Sequence, residues 1–143
     1  MAIPLQKFRE IVFQMLYSFN MGLSSEDELI ALMMKELSVN RTVVKEALQR
    51  VKQILKELPD IDAKISEASV SYDLDRIHSV ERNVLRLGIY ELYFDPEIPP
   101  KVAIAEAIRM SKKFGTPESV SYVNAIMDNV YKKKQGSESD RKG

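Results

Sequence analysis

The hydrophobic positions of the chain follow a helical period almost throughout. In the first segment, the apolar residues recur at spacings of three and four, which places them on one face of a helix. They are Leu5, Phe8, Ile11, Val12, Met15, Leu16 and Phe19. Similar stripes follow along the chain, and no segment alternates between apolar and polar residues as a strand would. The pattern predicts an all-α fold, a single compact domain of about seven helices.

Polar caps, glycines and prolines mark where these helices begin and end. Ser25 with Glu28 predicts a capping box, and Thr116 before Pro117 predicts another helix start. Glycine after the last turn and proline at its end stop a helix. The predicted helices run from Leu5 to Gly22, from Ser25 to about Leu37, from Asn40 to Pro59, from about Asp60 to Ser71, over 79–94, over 101–115, and from Thr116 to the lysines at 132–134.

The fifth predicted helix, "SVERNVLRLGIYELYF", has apolar residues on two opposite sides. A helix of this kind is typically central, with several neighbours packed around it. Gly88 lies inside the helix and costs about 1 kcal/mol in helix propensity relative to alanine. Close approach of another helix would explain that cost, so we predict a tight contact at Gly88.

Composition restricts the class of protein without naming a function. The chain has 143 residues, of which 45% are hydrophobic and 29% charged, which suits one domain over 1–134 with a real core. It has no apolar stretch of membrane-spanning length, no secretory signal and no cysteine, and we predict a cytoplasmic protein. The formal net charge is zero, so nucleic acid could be bound only by local patches. The polar segment 135–143 is predicted to be a disordered tail.

Residue types that catalysis or metal binding needs are scarce. His78 is the single histidine, and without cysteine a zinc site is not expected. Asp73 and Asp75 lie close together, but paired acids near a turn are usually solvated. No nucleophile elbow, phosphate loop or dinucleotide fingerprint is present. We therefore predict a binding protein rather than an enzyme, with no metal and no cofactor.

Large side chains outside the apolar stripes are the first candidates for binding. In the first helix, Phe13 and Tyr17 lie away from the stripe and, being four residues apart, can place their rings side by side. They either face a protein partner, since aromatic residues are enriched at interfaces, or are covered by a second helix. In the last helix, Tyr122, Asn129 and Lys133 lie along one side. That side is either a platform for a single-stranded base and its phosphate or an ordinary solvated face.

Two groups of basic residues also have two interpretations. The third helix carries a basic stripe that either follows a phosphate backbone or forms the solvated face beside the core, and it consists of Arg41, Lys45, Lys52 and Lys56. Lys112 and Lys113 lie in the last turn of the sixth helix. They either bind RNA or only stabilise the negative end of the helix dipole.

Several blocks of the sequence resemble the NusB family of bacterial transcription antitermination factors. These blocks are "LDRIHSVERNVLRLGIYEL", "IPPKVAIAEAIRMSKKFGTPES" and "YVNAIMDNV", which match in order and spacing over about residues 74–130. The first helix, with "REIVFQMLYSF", matches less closely. The resemblance implies an all-α, NusB-like fold of two packed halves with three or four helices each, and no enzymatic activity.

The resemblance also implies partners. Family members bind the boxA element of ribosomal RNA operon leaders as a heterodimer with the ribosomal small-subunit protein NusE, within the antitermination complex of RNA polymerase. A helical protein–protein adaptor with little RNA affinity of its own is the alternative, because the net charge is zero and the head of the chain has few basic residues. The aromatic residues of the first helix could also pair two copies into a homodimer.

The resemblance carries over to individual positions. The RNA-contacting head of the family corresponds to Lys7 and Arg9, where relatives carry several arginines. The family's aromatic residue before "VNG" corresponds to Tyr122 and its asparagine to Asn124, while Glu81, in "VERN", lies where the family meets NusE. The expected RNA-binding residues are Lys7, Arg9, Lys112, Lys113, Tyr122, Asn124 and Lys133, and the expected partner-binding residues are Phe13, Glu81 and the matching helix-one tyrosine, Tyr17.

Overall fold

The computed structural model describes residues 3–20, 22, 25–69 and 77–142, except for the side chains of 20 and 138–142. In this part of the chain the regular secondary structure is helical, so the all-α prediction is confirmed. The helices are α1 (Leu5–Asn20), α2 (Glu26–Leu37), α3 (Arg41–Lys56), α4 (Leu58–Ala68), α5 (Ser79–Phe94), α6 (Pro100–Phe114) and α7 (Pro117–Lys142). Asp73, Asp75 and the predicted end of the fourth helix lie outside the described residues.

The helices form two compact units, residues 1–56 and residues 57–143. The first unit contains α1 to α3 and the second contains α4 to α7, which agrees with halves of three and four helices. In the first unit, α1 packs against both α2 and α3. Among the described residues, no helix is long and apolar enough to span a membrane.

The predicted boundary residues of the first unit act as expected. Ser25 Oγ accepts a hydrogen bond of 3.1 Å from the backbone N–H of Glu28, and Asn40 Oδ1 accepts one of 2.9 Å from Val43. Each bond satisfies a backbone donor that has no partner inside the helix. Gly22 follows α1 with φ +87°, a left-handed conformation that glycine adopts without steric cost.

Two predicted helix boundaries differ from the structure. The third helix ends at Lys56 rather than at Pro59, which instead lies in the first turn of α4. Proline is tolerated there because the backbone N–H at that position would have no intrahelical partner. The last helix continues past the lysines to Lys142, through residues that, apart from Gly136, have modest helix cost. The assignment of 135–143 as a separate tail stays a prediction.

In the second unit, α5 is the central helix, because it packs against α4, α6 and α7. The close approach predicted at Gly88 is confirmed. A Cβ atom placed at Gly88 would lie 3.0 Å from Met127 Cε and 3.2 Å from Ala107 Cβ. Both α6 and α7 therefore approach the α5 backbone at this point, and their apolar residues are fully buried at Ala103, Ala107 and Met127.

A bidentate ion pair joins α4 to α5. Arg86 donates from Nε and Nη2 to the two carboxylate oxygens of Asp62, each at 2.9 Å. Both side chains are largely withdrawn from solvent. Two parallel charge-assisted hydrogen bonds of this kind fix the relative position of two helices better than a single bond does. Nothing in the sequence pattern singled out this pair.

Candidate nucleic-acid and partner interface

Contacts between α4 and α7 bring together two of the residues expected to bind RNA. The Tyr122 hydroxyl lies 2.9 Å from Ser69 Oγ, and Lys133 Nζ lies 2.8 Å from Glu67 Oε1. Ser69 and Glu67 are two residues apart at the end of α4, so Tyr122 and Lys133 both reach this short stretch. Tyr122 is half-buried and Lys133 is exposed. The ring can stack on a base and the ammonium group can bind a phosphate, about three helical turns further along α7.

The ion pair of Lys133 with Glu67 sets the charge of this surface. The hydrogen bond from Lys133 and the positive charge of its ammonium group lower the pKa of the Glu67 carboxyl, and the charge of Lys64 adds to the effect. Glu67 therefore stays ionised under mildly acidic conditions. An ammonium group has three donors, and Glu67 occupies one of those on Lys133, so a phosphate oxygen can still be bound.

Three more of the candidate residues lie on α6 and α7. Lys112 and Lys113 are exposed at the end of α6, and Lys112 lines a groove of about 370 Å³ that includes Thr116 and Val120. Lys113 Nζ lies 5.8 Å from the centroid of the Phe114 ring. Asn124 is exposed on α7. These side chains are accessible to a ligand, as an RNA-binding role requires.

The head of the chain exposes fewer basic residues than the sequence predicts. Lys7 is exposed, but Arg9 is only 6% exposed. Arg9 lies three and seven residues before Val12 and Leu16, which are also buried, so it belongs to the buried face of α1. The expectation of two surface cations at this end of the chain is corrected to one, Lys7.

Phe13 is also a correction to the predicted partner surface. Its side chain is only 3% exposed, so it does not offer an exposed ring. The alternative interpretation, in which helices cover more than one side of α1, is the one that holds, since both α2 and α3 pack on this helix. The expected ring contact is present, with the centroids of Phe13 and Tyr17 6.3 Å apart and the planes inclined at 40°. Tyr17 is half-buried and presents part of its surface.

Glu81 is positioned by a partner that the sequence did not reveal. It is 7% exposed and accepts a hydrogen bond of 2.8 Å from Ser119 Oγ. Ser119 Oγ also accepts a bond of 3.2 Å from the Thr116 N–H, and Thr116 Oγ1 accepts one of 3.3 Å from the Ser119 N–H. The Glu81 carboxylate on α5 is thus connected to the capped first turn of α7. A serine at the third helical position of "TPES" was the only sequence feature that could have indicated this cap.

Two of the four residues in the basic stripe of α3 are paired with acids of α2. Lys52 Nζ lies 2.8 Å from Glu26 Oε1, and Arg41 Nη2 lies 4.0 Å from Asp27 Oδ1. These exposed pairs favour the interpretation of the stripe as a solvated face. Lys45 lines a groove of about 420 Å³ in the first unit, beside amide side chains of α3.

Metal-ligating residues do not cluster in the described part of the chain, where no group of three or more His, Asp or Glu side chains is placed to hold an ion. His78 is exposed at the start of α5 and makes no capping hydrogen bond with its side chain. The candidate residues that are accessible are those of the α4, α6 and α7 surfaces, with Lys7 and Tyr17, whereas Glu81 is about as buried as Arg9 and its role in partner binding stays a prediction from the resemblance.

Comparison with known proteins covers nearly the whole chain. Residues 6–132 match the family model described as the NusB family. The chain belongs to the NusB family. It is 39% identical over 128 residues to the transcription antitermination protein NusB of Chlamydia pneumoniae, which covers 90% of this chain and 80% of that protein.

Solved NusB structures have the same fold. NusB of T. maritima superposes with a TM-score of 0.75 at 32% identity, covering 92% of this chain and 93% of that chain. A complex of the antitermination factors NusB and NusE with dsRNA contains a chain that matches with a TM-score of 0.75 at 26% identity, covering 89% of this chain and 95% of that chain. The resemblance seen from "VERN" to "YVNAIMDNV" is thereby confirmed as family membership.

Proposed function

We propose that this NusB-family chain is a transcription antitermination factor that binds single-stranded, boxA-type leader RNA of ribosomal RNA operons together with ribosomal protein NusE. The main support for this proposal is the match of residues 6–132 to the NusB family. Similar proteins of this family are named transcription antitermination proteins. A NusB relative of known structure forms a complex with NusE and dsRNA. The chain then works in the cytoplasm, as part of the antitermination complex of RNA polymerase, and has no enzymatic activity of its own.

The RNA surface of the proposal lies on the second unit. The Tyr122 ring offers a stacking surface, while Ser69 holds its hydroxyl and so limits its rotation. Lys133, Lys112 and Lys113 supply ammonium groups for phosphates, and the exposed Asn124 offers an amide that can bond a base edge. The chain has no net charge, so these few local contacts would carry the electrostatic part of the affinity.

The proposed recognition of NusE uses the half-buried Tyr17 and, as the resemblance implies, Glu81, which is 7% exposed. Tyr17 contributes an amphipathic ring of the kind that is enriched at protein interfaces. Glu81 accepts a bond from Ser119 through Oε1, which orients its carboxylate. Phe13 acts from behind the surface by supporting the Tyr17 ring. NusE would also supply part of the RNA surface, which compensates for a head in which only Lys7 is exposed.

A second candidate function is a helical adaptor that binds NusE but has little RNA affinity of its own. The burial of Arg9 favours it, because this removes one of the two cations that correspond to the family's RNA-contacting head. The two functions differ in a single measurable property, the affinity of the chain for RNA in the absence of NusE.

Titration of fluorescent boxA-type RNA with the chain alone and with the chain plus NusE separates the two functions. Tyr122→Ala is expected to weaken RNA binding by about 1–3 kcal/mol, because it removes one stacking surface, while Tyr122→Phe keeps the ring and most of the affinity. Saturable RNA binding with NusE but not without it would favour the adaptor. If no RNA binds in either condition at low salt, the RNA-binding function is excluded.

A further inference from the structure

A groove of about 470 Å³ lies between α4, the end of α5 and the C-terminal half of α7, beyond the contacts of Tyr122. We call it the Tyr93 groove. The charged and aromatic residues of its lining are Lys64, Glu67, Tyr93, Lys133 and Lys134. All of these residues belong to the second unit. The volume falls within the range of sites that hold small organic ligands, and a nucleotide is of this size class.

Two lysines are held over the Tyr93 ring. Lys64 Nζ lies 4.6 Å from the ring centroid and Lys134 Nζ lies 5.7 Å from it. Both distances are short enough for a cation–π attraction. The Tyr93 hydroxyl is 3.4 Å from the carbonyl oxygen of Val130, which ties the ring itself to α7. Both ammonium groups therefore lie within about 6 Å of the centre of one ring that lines the groove.

The groove has an excess of positive charge and several ammonium donors. Three lysines face a single glutamate along its lining. Lys64 bonds Asp60 at 2.7 Å and Lys133 bonds Glu67 at 2.8 Å, but each ammonium group carries three donors. The positive charge of the groove also lowers the pKa of Glu67, since Lys133 and Lys64 both stabilise its negative charge. A phosphate group is the ligand that matches several ammonium donors along one groove.

The Tyr93 groove is connected to the proposed RNA surface through α4. Glu67 lines the groove, and Ser69, two residues further along, bonds the Tyr122 hydroxyl. On α7, Tyr122 and Lys134 are separated by about 18 Å, from the rise of about 1.5 Å per helical residue. A single strand of a few nucleotides spans that length. A strand with one base on Tyr122 can thus place a later phosphate in the groove.

We propose that the Tyr93 groove is a second RNA subsite, which binds a backbone phosphate of the strand through Lys64, Lys133 and Lys134. This inference rests on the proposed RNA-binding function and extends it to residues of α4 and α5. The ligand class is a phosphodiester of single-stranded RNA. Glu67 limits the affinity of this subsite, because it competes with the phosphate for Lys133.

The test measures RNA affinity over a series of salt concentrations for matched variants of the full chain. The double variant Lys64→Gln/Lys134→Gln removes two cations of the groove. Lys132→Gln is the control, because Lys132 neighbours the groove lysines on α7 and forms an i,i+4 pair with Asp128 at 2.9 Å, as Lys64 does with Asp60. Thermal unfolding of each variant confirms that it is folded.

The expected result for the double variant is RNA binding that is weaker by roughly twofold to thirtyfold. Its plot of log affinity against log salt should be less steep by about 0.7 for each phosphate that the variant no longer binds. Lys132→Gln should match the unmodified chain in both measures. Glu67→Gln should bind RNA more tightly than the unmodified chain, a gain that partial misfolding could not produce.

Three outcomes decide the proposal. If the unmodified chain binds RNA and the double variant matches Lys132→Gln in affinity and salt dependence, the subsite is excluded and the proposed function stands. If Glu67→Gln weakens RNA binding, the competition for Lys133 is refuted and the subsite with it. If the unmodified chain binds no RNA, alone or with NusE, then the proposed function and the subsite both fail.

Discussion

The contact at Gly88 leads to a prediction in which two effects of opposite sign compete. Gly88→Ala improves helix propensity by about 1 kcal/mol in the middle of α5. The added methyl group would lie 3.0 Å from Met127 Cε and 3.2 Å from Ala107 Cβ. The Met127 methyl is the end of a flexible side chain and can move, but the Ala107 Cβ cannot move without its backbone. Overpacking of this kind costs about 1–3 kcal/mol.

The steric cost therefore exceeds the propensity gain, and Gly88→Ala should lower the free energy of unfolding by about 1 kcal/mol. Gly88→Ser should lower it further, because serine adds an oxygen to the same contact and has a poorer helix propensity than alanine. Urea denaturation followed by circular dichroism measures the difference, provided that the slopes of the transitions are equal.

Gly136→Ala is the matched control for this prediction. Gly136 also lies inside a helix, α7, but a Cβ atom there would have no neighbour within 4 Å. The free energy of unfolding of Gly136→Ala should be unchanged or slightly higher than that of the unmodified chain. The reasoning is refuted if Gly88→Ala is as stable as Gly136→Ala, since the three helices would then not be in tight contact.

Three further predictions concern charged and aromatic contacts. Arg86→Met leaves Asp62 with no guanidinium partner and should lower the free energy of unfolding by about 3 kcal/mol, measured by denaturation. A loss below about 0.5 kcal/mol would mean that the pair behaves as a surface ion pair. Lys133→Gln should raise the pKa of Glu67 towards its ordinary value, because it removes the ammonium group that lowers this pKa. In the unmodified chain the ion pair is present at neutral pH and is lost as the pH falls through the lowered pKa of Glu67. NMR titration of the Glu67 carboxyl in both proteins measures the difference, and equal pKa values would show that this is wrong. Tyr17→Ala should weaken NusE binding by about 1–2 kcal/mol, measured by calorimetry, and should leave the RNA affinity in the absence of NusE unchanged. If the variant and the unmodified chain bind NusE equally well, Tyr17 is not part of the interface.

Local features of this chain could be predicted well from its sequence. The helix starts at Ser25 and Asn40 depend on bonds between residues three positions apart, so the residue types alone indicate them. The tight contact at Gly88 follows from a glycine in a helix that is apolar on two sides. Family membership is indicated by blocks such as "VERN". The helical periodicity of these blocks alone does not indicate a function.

Features that depend on the packing of distant segments were missed or wrong. The resemblance places Arg9 in the RNA-contacting head, and the apolar stripe of α1 leaves Phe13 outside it, yet both residues are buried. Only the packing of α2 and α3 on α1 shows how much of the helix is covered. The bond between Glu81 and Ser119 joins residues that are 38 positions apart in the chain. No periodicity relates such residues, so the orientation of Glu81 could not be inferred before the helices were placed.

The length of α7 has a consequence for how the effects of mutations spread. Met127, buried against Gly88, and the surface residues Tyr122 and Lys133 belong to one continuous helix. Because the backbone hydrogen bonds of a helix hold its residues in fixed relative positions, a small rotation forced at Met127 moves both surface side chains relative to α4 together. An internal substitution can thus change ligand binding while no ligand-contacting atom is altered, and screening α7 for loss of binding will identify core positions as well as contact positions.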